Sequence, residues 1–371
     1  MPDRIRYKTK IMVIGAGQAG LSAAYHLKKL GLEIGPDFIV LDAASAAGGA
    51  WQYRWPSLTL STVNKIHDLP GMSFEETLDK ASATVQASIA VPHYFDLYEQ
   101  KFGIRVFRPV KVENVYLHND RFYIDSPKTL FSAMGIINAT GTWENPYIPT
   151  YPGADLFVGE QLHTKDFKTA DYFKGKRVVL VGAGISAIQL LDQISKVTTT
   201  IWVTRREPVF REGPFDDVAG HKAVAMVEER VRNGLLPSSV VSVTGLPLSP
   251  EVVDMKRRGV LNRFPMFSEI TRTGVKWEDG REEKADIILW NTGFRGALDH
   301  LESVLPREET GGIIMAGRLA TMVAKEPRIH LPGYGPSAST IGANRAGLVA
   351  ARELMATLGL AERPYDIVDK K

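Results

Sequence analysis

Three glycines near the start of the chain have a spacing that suits the binding of a pyrophosphate. Gly15, Gly17 and Gly20 form the pattern G-x-G-x-x-G in "GAGQAG". Gly15 permits a tight turn, Gly17 lets a pyrophosphate approach the backbone, and Gly20 lets a helix pack closely on a strand. Asp42 ends the next apolar run, where it is placed to accept hydrogen bonds from an adenosine ribose. Together these residues predict a dinucleotide site.

A second motif of the same kind begins at residue 182. "GAGISA" places Gly182, Gly184 and Ala187 at the same spacing, and the unit ends in "VTRRE" with Arg205 and Arg206. A guanidinium binds a 2′-phosphate through charge-assisted hydrogen bonds, whereas a carboxylate repels it. The second site is therefore predicted to bind NADPH in preference to NADH. Ordinary surface charge after a strand is the alternative reading of the two arginines.

Two dinucleotide sites in one chain indicate that one holds FAD and the other a nicotinamide cofactor. The segment "GGAWQ" (48–52) follows the first motif closely. Gly48 and Gly49 permit close backbone approach, and Trp51 offers a flat surface near an isoalloxazine. The first motif is therefore assigned to FAD.

The elements that must position these motifs follow from the apolar patterning. The runs at 10–17 and 38–42 are typical of buried parallel strands, and a helical pattern joins them. The same strand-helix-strand order recurs at 177–205, which makes two βαβ units. Two further strand patterns end in Thr140-Gly141 and Thr292-Gly293, which fit points where the chain crosses between domains.

The predicted fold class is α/β, with two Rossmann-like (three-layer) dinucleotide-binding domains. The FAD-binding domain is expected to be discontinuous, at 1–167 and 290–371, with the NADPH-binding domain inserted at 168–289. A chain of 371 residues is long enough for two cores.

Composition excludes several classes of function. The net charge of +3 is too small and too evenly spread to indicate a nucleic-acid partner. The absence of cysteine excludes thiolate metal sites and a redox-active cysteine pair. The eight histidines show no metal-ligand spacing, so no metal site is predicted. No apolar run approaches the roughly 20 residues of a membrane span, and a cytoplasmic protein is expected.

The stretch "LFVGEQLHTKDF" (156–167) lies between the two glycine motifs and contains Phe157, Gly159, His163 and Phe167. A purely structural reading is available, in which the rings pack under a loop and His163 satisfies a backbone carbonyl. With the other motifs, however, the stretch resembles the signature of the flavin-containing, class B type flavoprotein monooxygenases, especially their short bacterial type. That signature runs Phe-x-Gly-x-x-x-His-x-x-x-aromatic, and the resemblance continues through "ATGTWENPYIPTYPG", "NTGFR" and "LPGYGPSASTIGANRAG".

The resemblance implies a monooxygenase in which NADPH reduces FAD and the reduced flavin reacts with O2. The resulting C4a-(hydro)peroxide would donate oxygen to a nucleophilic heteroatom or a ketone, while the protein positions groups and excludes water. The expected partners are a small-molecule substrate and O2, and a homodimer is compatible with the sequence. The alternatives are an NADPH oxidase or a flavin or quinone reductase of the same fold, and a non-catalytic flavin or NADPH sensor.

The chain departs from the family pattern in several places. Phe167 replaces the tryptophan typical of the Baeyer–Villiger signature and Lys168 the usual proline or aspartate, which makes a sulfide or amine the expected substrate rather than a ketone. Some relatives carry a flavin-adjacent asparagine whose place here falls on Ser61, with Asn64 a short step beyond. A serine there implies leakage of hydrogen peroxide. The loop "GYGPSASTIG" is shorter than in relatives, which implies a more open substrate pocket.

The candidate site residues divide into three groups. Ser61 and His163 are the catalytic candidates, although His163 is equally well read as a structural residue at a hinge between the domains. The FAD site is predicted to comprise Gly15, Gly17, Gln18, Ala19, Gly20, Asp42, Gly49, Trp51, Gln52, Val112, Thr140, Gly141 and Thr340. The NADPH site is predicted to comprise Gly182, Gly184, Ile185, Ser186, Ala187, Gln189, Arg205, Arg206, Thr292 and Gly293.

Overall fold

The computed structural model describes residues 5–63, 66–78, 82–212, 217–238 and 245–362. Asn64, considered above as a neighbour of the flavin, lies outside these ranges. The α-helices of the described residues are α1 (Gln18–Lys29), α2 (Ala87–Lys101), α3 (Ile185–Ser195), α4 (Asp217–Arg232), α5 (Pro250–Arg257) and α6 (Thr340–Thr357).

The first glycine motif follows an interior strand of a largely parallel sheet. All four residues of that strand are buried, as the unbroken apolar run predicts. Helix α1 packs against α6 on one side of this sheet, where a Cβ on Gly347 would lie 2.7 Å from the Ser22 Oγ. The strand order is β18 (Met315–Ala316), β19 (Met322–Val323), β20 (Glu326–His330), β8 (Gly135–Asn138), β2 (Ile11–Ile14), β3 (Phe38–Leu41) and β4 (Val106–Phe107).

The second glycine motif follows the central strand of another parallel sheet. Its order is β11 (Thr200–Val203), β10 (Val178–Val181), β17 (Ile287–Trp290) and β9 (Glu160–His163). Because the first sheet takes strands from both sides of this unit in the sequence, the second Rossmann unit is inserted into the first. The sheet begins with β9, one strand before the boundary expected at residue 168, and the domain boundaries themselves stay a prediction.

Smaller sheets complete the described structure. One lies beside the first Rossmann sheet and packs its apolar face on it through Val115, Phe122, Ile124 and Phe131. The others belong to the inserted segment. In order, these sheets are β1 (Ile5–Lys8), β7 (Thr129–Ala133), β6 (Arg121–Asp125) and β5 (Asn114–His118); β14 (Glu269–Thr271), β15 (Gly274–Lys276) and β16 (Glu282–Lys284); and β12 (Phe210–Arg211) with β13 (Leu246–Pro247).

Helix α4 belongs to the inserted segment by sequence but packs on the first Rossmann unit. Val231 is fully buried in the same apolar cluster as Leu298, Leu301 and Ile313. The Arg232 guanidinium donates from Nη2 to the Gly317 carbonyl at 2.8 Å. The helix therefore ties the inserted unit to the C-terminal part of the chain, a contact that no local pattern in the sequence indicates.

Candidate cofactor and active site

The first glycine loop has the close packing that its spacing predicts. Gly15 has φ +99°, and a Cβ there would lie 2.4 Å from the Ala139 carbonyl oxygen. A Cβ on Gly20 would lie 1.8 Å from the Gly15 carbonyl oxygen. Both contacts are shorter than any side chain tolerates, so these two glycines let strand, turn and helix meet.

The segment "GGAWQ" lies directly against this loop. A Cβ on Gly49 would lie 3.0 Å from the Cα of Gly17, and Gly49 has φ +52°. Two bare stretches of backbone therefore face each other, which is the surface that an extended pyrophosphate needs. Trp51 is half-buried in the 3-10 helix that follows.

The N-termini of α1 and α3 carry no side-chain cap, a property they share with α2, but of these three only α1 and α3 begin at a glycine loop. Ser249 and Ser339 cap α5 and α6 with side-chain hydroxyls, whereas Gly17 and Gly184 precede α1 and α3 without any side-chain cap. The first N–H groups of α1 and α3 are therefore left for an external acceptor, and phosphates are the usual one at such ends. The residues at both loops fit a dinucleotide.

Asp42 lies beside the position expected for an adenosine ribose. Its side chain is buried, and it accepts from the Ala16 N–H at 2.6 Å and from the Ala44 N–H at 2.8 Å. The Val110 N–H donates to the Asp42 carbonyl at 2.8 Å, which brings the segment containing Val112 beside it. A carboxylate so oriented keeps lone pairs for ribose hydroxyls.

Other residues predicted for the FAD site hold the loops together. Gln18 donates from Nε2 to the Asn344 side chain at 2.9 Å, and Gln52 donates to the carbonyls of Ala46 and Gly49. Ala19 is buried against Ala139 and Ala343. These residues support the FAD cradle, which is the first glycine loop (15–20) together with the facing segment 48–52. Thr340 begins α6 at the edge of this cradle. Thr140 donates from Oγ1 to the Ala297 carbonyl at 2.7 Å, and Gly141 has φ +65°.

The second glycine loop repeats this arrangement with more open space. A Cβ on Gly182 would lie 2.3 Å from the Asn291 carbonyl oxygen, whereas one on Gly184 would meet nothing within 4 Å. Ile185 and Ser186 form the first turn of α3, and Ala187 is buried at the position of the third glycine. Gln189 donates to the Thr62 carbonyl at 2.9 Å, so α3 contacts the flavin-side segment.

Arg205 and Arg206 follow β11 and are exposed, and their guanidinium groups form no hydrogen bond or ion pair with any described residue. Sequence reasoning missed a third guanidinium here. Arg263 donates from Nε to the Thr204 Oγ1 at 2.7 Å, although it is 59 residues away in the sequence. Its only sequence signal would have been an arginine preceding an apolar pair. The cationic edge at this strand end is therefore built from two segments.

The two crossings between the Rossmann units run side by side. The Tyr147 N–H donates to the Gly293 carbonyl at 3.0 Å, and the Ala297 N–H donates to the Gly141 carbonyl at 2.9 Å. Thr292 donates from Oγ1 to the Tyr147 carbonyl. The Thr-Gly ends predicted as crossing points thus bond to each other's continuations, and not only to their own strands.

His163 ends β9 and is fixed by the backbone at both ring nitrogens. Nε2 donates to the Gly293 carbonyl at 2.9 Å, which leaves Nδ1 to accept from the Lys165 N–H at 3.2 Å. Burial lowers the pKa of His163, so the ring is neutral. This geometry makes His163 a positioning residue that ties β9 to a crossing.

The other residues of the 156–167 stretch are packed. Phe167 is buried, with its ring edge-to-face with Trp55 at 6.0 Å and stacked on Phe173 at 5.8 Å. A Cβ on Gly159 would lie 2.5 Å both from the Asp286 carbonyl oxygen and from the Phe157 ring. The stretch therefore joins the flavin-side segment at Trp55 to the inserted sheet.

Ser61 is the other catalytic candidate. It is exposed, its hydroxyl is 2.8 Å from the Thr59 Oγ1, and its N–H donates to the Ala83 carbonyl. The carbonyl of the neighbouring Thr62 accepts from Gln189 of α3. The described residues include no cluster of three metal-ligating side chains and no helix long and apolar enough to cross a membrane.

Comparisons with known proteins agree with this architecture. The model of the pyridine nucleotide-disulphide oxidoreductase family matches residues 12–238, more than half of the chain. A flavin-containing monooxygenase from Stenotrophomonas maltophilia is 33% identical and superposes with a TM-score of 0.78 over 95% of this chain and 99% of that chain. The chain belongs to the flavin monooxygenase family. It is a flavin-dependent oxidoreductase, and the cofactors of its family are FAD and NADPH.

Curated relatives are more distant. An uncharacterized oxidoreductase, CzcO, from Bacillus velezensis is 26% identical over 307 residues, 80% of this chain and 85% of that protein. A trimethylamine monooxygenase from Pelagibacter sp. is 27% identical over 215 residues, 51% of this chain and 48% of that protein. Because this chain has no cysteine, it has no dithiol for the disulphide chemistry in the name of the matched family.

Proposed function

We propose that the protein is an NADPH-dependent FAD monooxygenase that transfers one oxygen atom from O2 to a small sulfide or amine. One observation carries the proposal: two uncapped glycine-loop helices, α1 and α3, flank a single junction made of the paired crossings. Two phosphate-binding ends at one junction suit a flavin and a nicotinamide that must meet for hydride transfer.

In this proposal the chain's own residues hold and orient the cofactors. The N–H groups of α1 and the facing backbone of Gly17 and Gly49 bind the FAD pyrophosphate, and Asp42 binds its ribose. The N–H groups of α3 bind the NADPH pyrophosphate, while Arg205 and Arg206 bind the 2′-phosphate with Arg263 beside them. When bound, the flavin supplies the redox chemistry, accepting hydride from NADPH and activating O2.

The preference for a heteroatom over a ketone rests on the departure at Phe167. Its ring is buried against Trp55 and Phe173, so it does not touch a substrate. Any effect of this position on the substrate passes through the placement of the Trp55 segment. The name of the Pelagibacter relative, a trimethylamine monooxygenase, supports an amine among the substrates.

An NADPH oxidase or quinone reductase is the alternative with the same fold. Ser61 favours it, because a serine whose hydroxyl is bonded to Thr59, in place of the asparagine of relatives, would supply one stabilising hydrogen bond fewer to an oxygen-activating flavin. The two functions differ in the fate of the electrons.

The test measures that fate directly. Purified flavin-loaded protein is supplied with NADPH and methyl phenyl sulfide, and NADPH loss, sulfoxide and hydrogen peroxide are quantified together. Sulfoxide in proportion to NADPH is the expected result, with free FAD plus NADPH as the control. Stoichiometric peroxide without sulfoxide, or faster turnover with a quinone, assigns the chain to the alternative.

A further inference from the structure

Two buried hydrogen-bond donors lie close together without an acceptor among the described residues. The Arg54 Nε and the Trp143 Nε1 are both shielded from solvent, and neither has a partner in the described part of the chain. The Arg54 guanidinium lies 4.5 Å from the centre of the Trp143 ring and 5.7 Å from that of Trp51. Buried donors in native proteins are nearly always paired, so this pair indicates an acceptor beyond these residues.

No carboxylate of the described residues is available to Arg54. Its guanidinium forms no hydrogen bond or ion pair with any of them. Glu144 follows Trp143 but pairs with Lys165 at 2.9 Å, and Asp42 is held by two backbone N–H groups. Burial lowers the pKa of Arg54 to about 10, which leaves it a cation at neutral pH. An unpaired half-buried cation indicates an anionic ligand.

The position of the cluster indicates which ligand this is. The Trp143 ring stacks on Phe294 at 5.1 Å, and the Phe294 ring contacts His163 at 4.8 Å. Trp143 and Phe294 follow the two crossings, and Arg54 follows "GGAWQ", so the donors lie beside the junction between the Rossmann units. The cofactor phosphates already have partners in the proposed function, at the N-termini of α1 and α3 and at Arg205 and Arg206.

We propose that Arg54 binds the carboxylate of the substrate, with the Trp143 Nε1 as a second donor, and so selects sulfides or amines that carry an acidic group. This inference rests on the proposed function and names its substrate class. A planar guanidinium binds a carboxylate through paired hydrogen bonds, and that of Arg54 lies 4.5 Å from the centre of the Trp143 ring, within reach of the second donor.

Calorimetry tests the binding step without turnover. Flavin-loaded protein saturated with NADP+ is titrated with (methylthio)acetate, a thioether that carries a carboxylate, and separately with the corresponding uncharged amide. The acid is expected to bind more tightly than the amide. Arg54→Met should raise the Kd of the acid about 10- to 100-fold and leave that of the amide within about threefold, as loss of a charge-assisted pair predicts. Arg54→Lys should recover part of the loss.

Arg281→Met is the matched control. Its guanidinium also lies over an indole, 5.6 Å from the Trp277 ring centre, but its Nε pairs with Asp279 at 2.8 Å. This variant should change neither Kd. Flavin content and melting temperature verify that each variant is folded.

Three outcomes overturn the inference. Equal affinity for acid and amide, with no response to Arg54→Met, would show that Arg54 does not bind a substrate carboxylate. A raised Kd for NADP+ in Arg54→Met with the acid preference intact assigns the anion to the dinucleotide, and loss of flavin rescued by Arg54→Lys assigns it to FAD. Peroxide without oxygenated product would overturn the proposed monooxygenase reaction and leave the measured acid preference standing.

Discussion

His163 shows how one side chain can fix a junction between two sheets. It ends β9 and reaches the Gly293 carbonyl across 130 residues of sequence, while its own N–H donates to Asp166. Both ring nitrogens are engaged by the backbone. A group held in this way transmits position, and it has no free nitrogen with which to exchange a proton with substrate.

Replacement of His163 with alanine should uncouple the enzyme. Loss of the bond to Gly293 loosens the crossing beside Phe294, at a cost to stability of about 1 kcal/mol, while the FAD cradle at Gly17 is untouched. The measured ratio of peroxide to NADPH consumed should rise several-fold, with flavin content unchanged. His118→Ala, which removes an exposed ring from β5, is the control. Purification of the His163 variant without flavin would contradict this prediction.

The two Rossmann helices α1 and α3 start from loops of the same sequence type. The two loops differ in how much space they leave for an added side chain. The first loop is closed on both sides by backbone and by Gly49, whereas the second is open at Gly184. The third motif position differs as well. Gly20 lies so close to the Gly15 carbonyl that no Cβ fits there, whereas the second loop has room for the Cβ of Ala187. The two glycine loops therefore have the same fold, but the first is packed more tightly than the second.

Matched alanine substitutions should separate packing from cofactor binding. Gly20→Ala drives a Cβ into the Gly15 carbonyl and should lower the free energy of unfolding by about 1–3 kcal/mol or more. Gly184→Ala meets nothing within 4 Å in the protein. It should keep the melting temperature within a few degrees but raise the KM for NADPH, because its methyl group occupies the approach to the N-terminus of α3. Equal destabilisation of both variants would refute the distinction.

Across the whole molecule, burial strongly lowers the pKa of one fully buried histidine, His330, and of two half-buried ones, His26 and His300. His26, at the contact of α1 with α6, has a pKa lowered to about 4 by burial and then by Lys29 and Arg352. Burial likewise lowers the pKa of His300 and of His330 to about 4. His300 donates to the Asn138 side chain at 2.8 Å, which in turn bonds to Thr140 at a crossing.

These shifts predict loss of stability in mild acid. The unfolded chain binds protons on these rings near pH 6.5, whereas the folded chain binds them only near pH 4. These rings therefore do not oppose folding above about pH 6.5. Between about pH 6.5 and 4 the free energy of unfolding falls progressively, by about 2–3 kcal/mol for each of the most buried rings.

Urea midpoints measured between neutral pH and pH 4.5 provide the test. His300→Gln removes a titrating ring and keeps a donor for Asn138, so its midpoint should fall less steeply with acidification than that of the parent. His118→Gln should follow the parent curve. A parent midpoint independent of pH over this range would show that the rings are not buried as neutral groups.

The α/β class, the inserted order of the two Rossmann units and the positions of both glycine loops follow from the sequence alone. These are local properties: strand and helix periods, glycines where backbone approaches backbone, and an acid or a base at a strand end. The residues proposed to contact each cofactor follow from the same patterns and stay predictions.

Only the tertiary structure decided which residues meet at the junction. Ser61 is exposed beside Thr59, and its role stays a prediction. Arg54, Trp143 and Phe294 come together from distant segments, and Arg263 joins Thr204 beside Arg205 and Arg206. Their roles depend on which donors remain unpaired after folding. Arg263 pairs with Thr204 across 59 residues of sequence and His163 with Gly293 across 130. Such pairs leave no periodic trace, because a side-chain contact between separate elements constrains distance in space and not spacing along the chain.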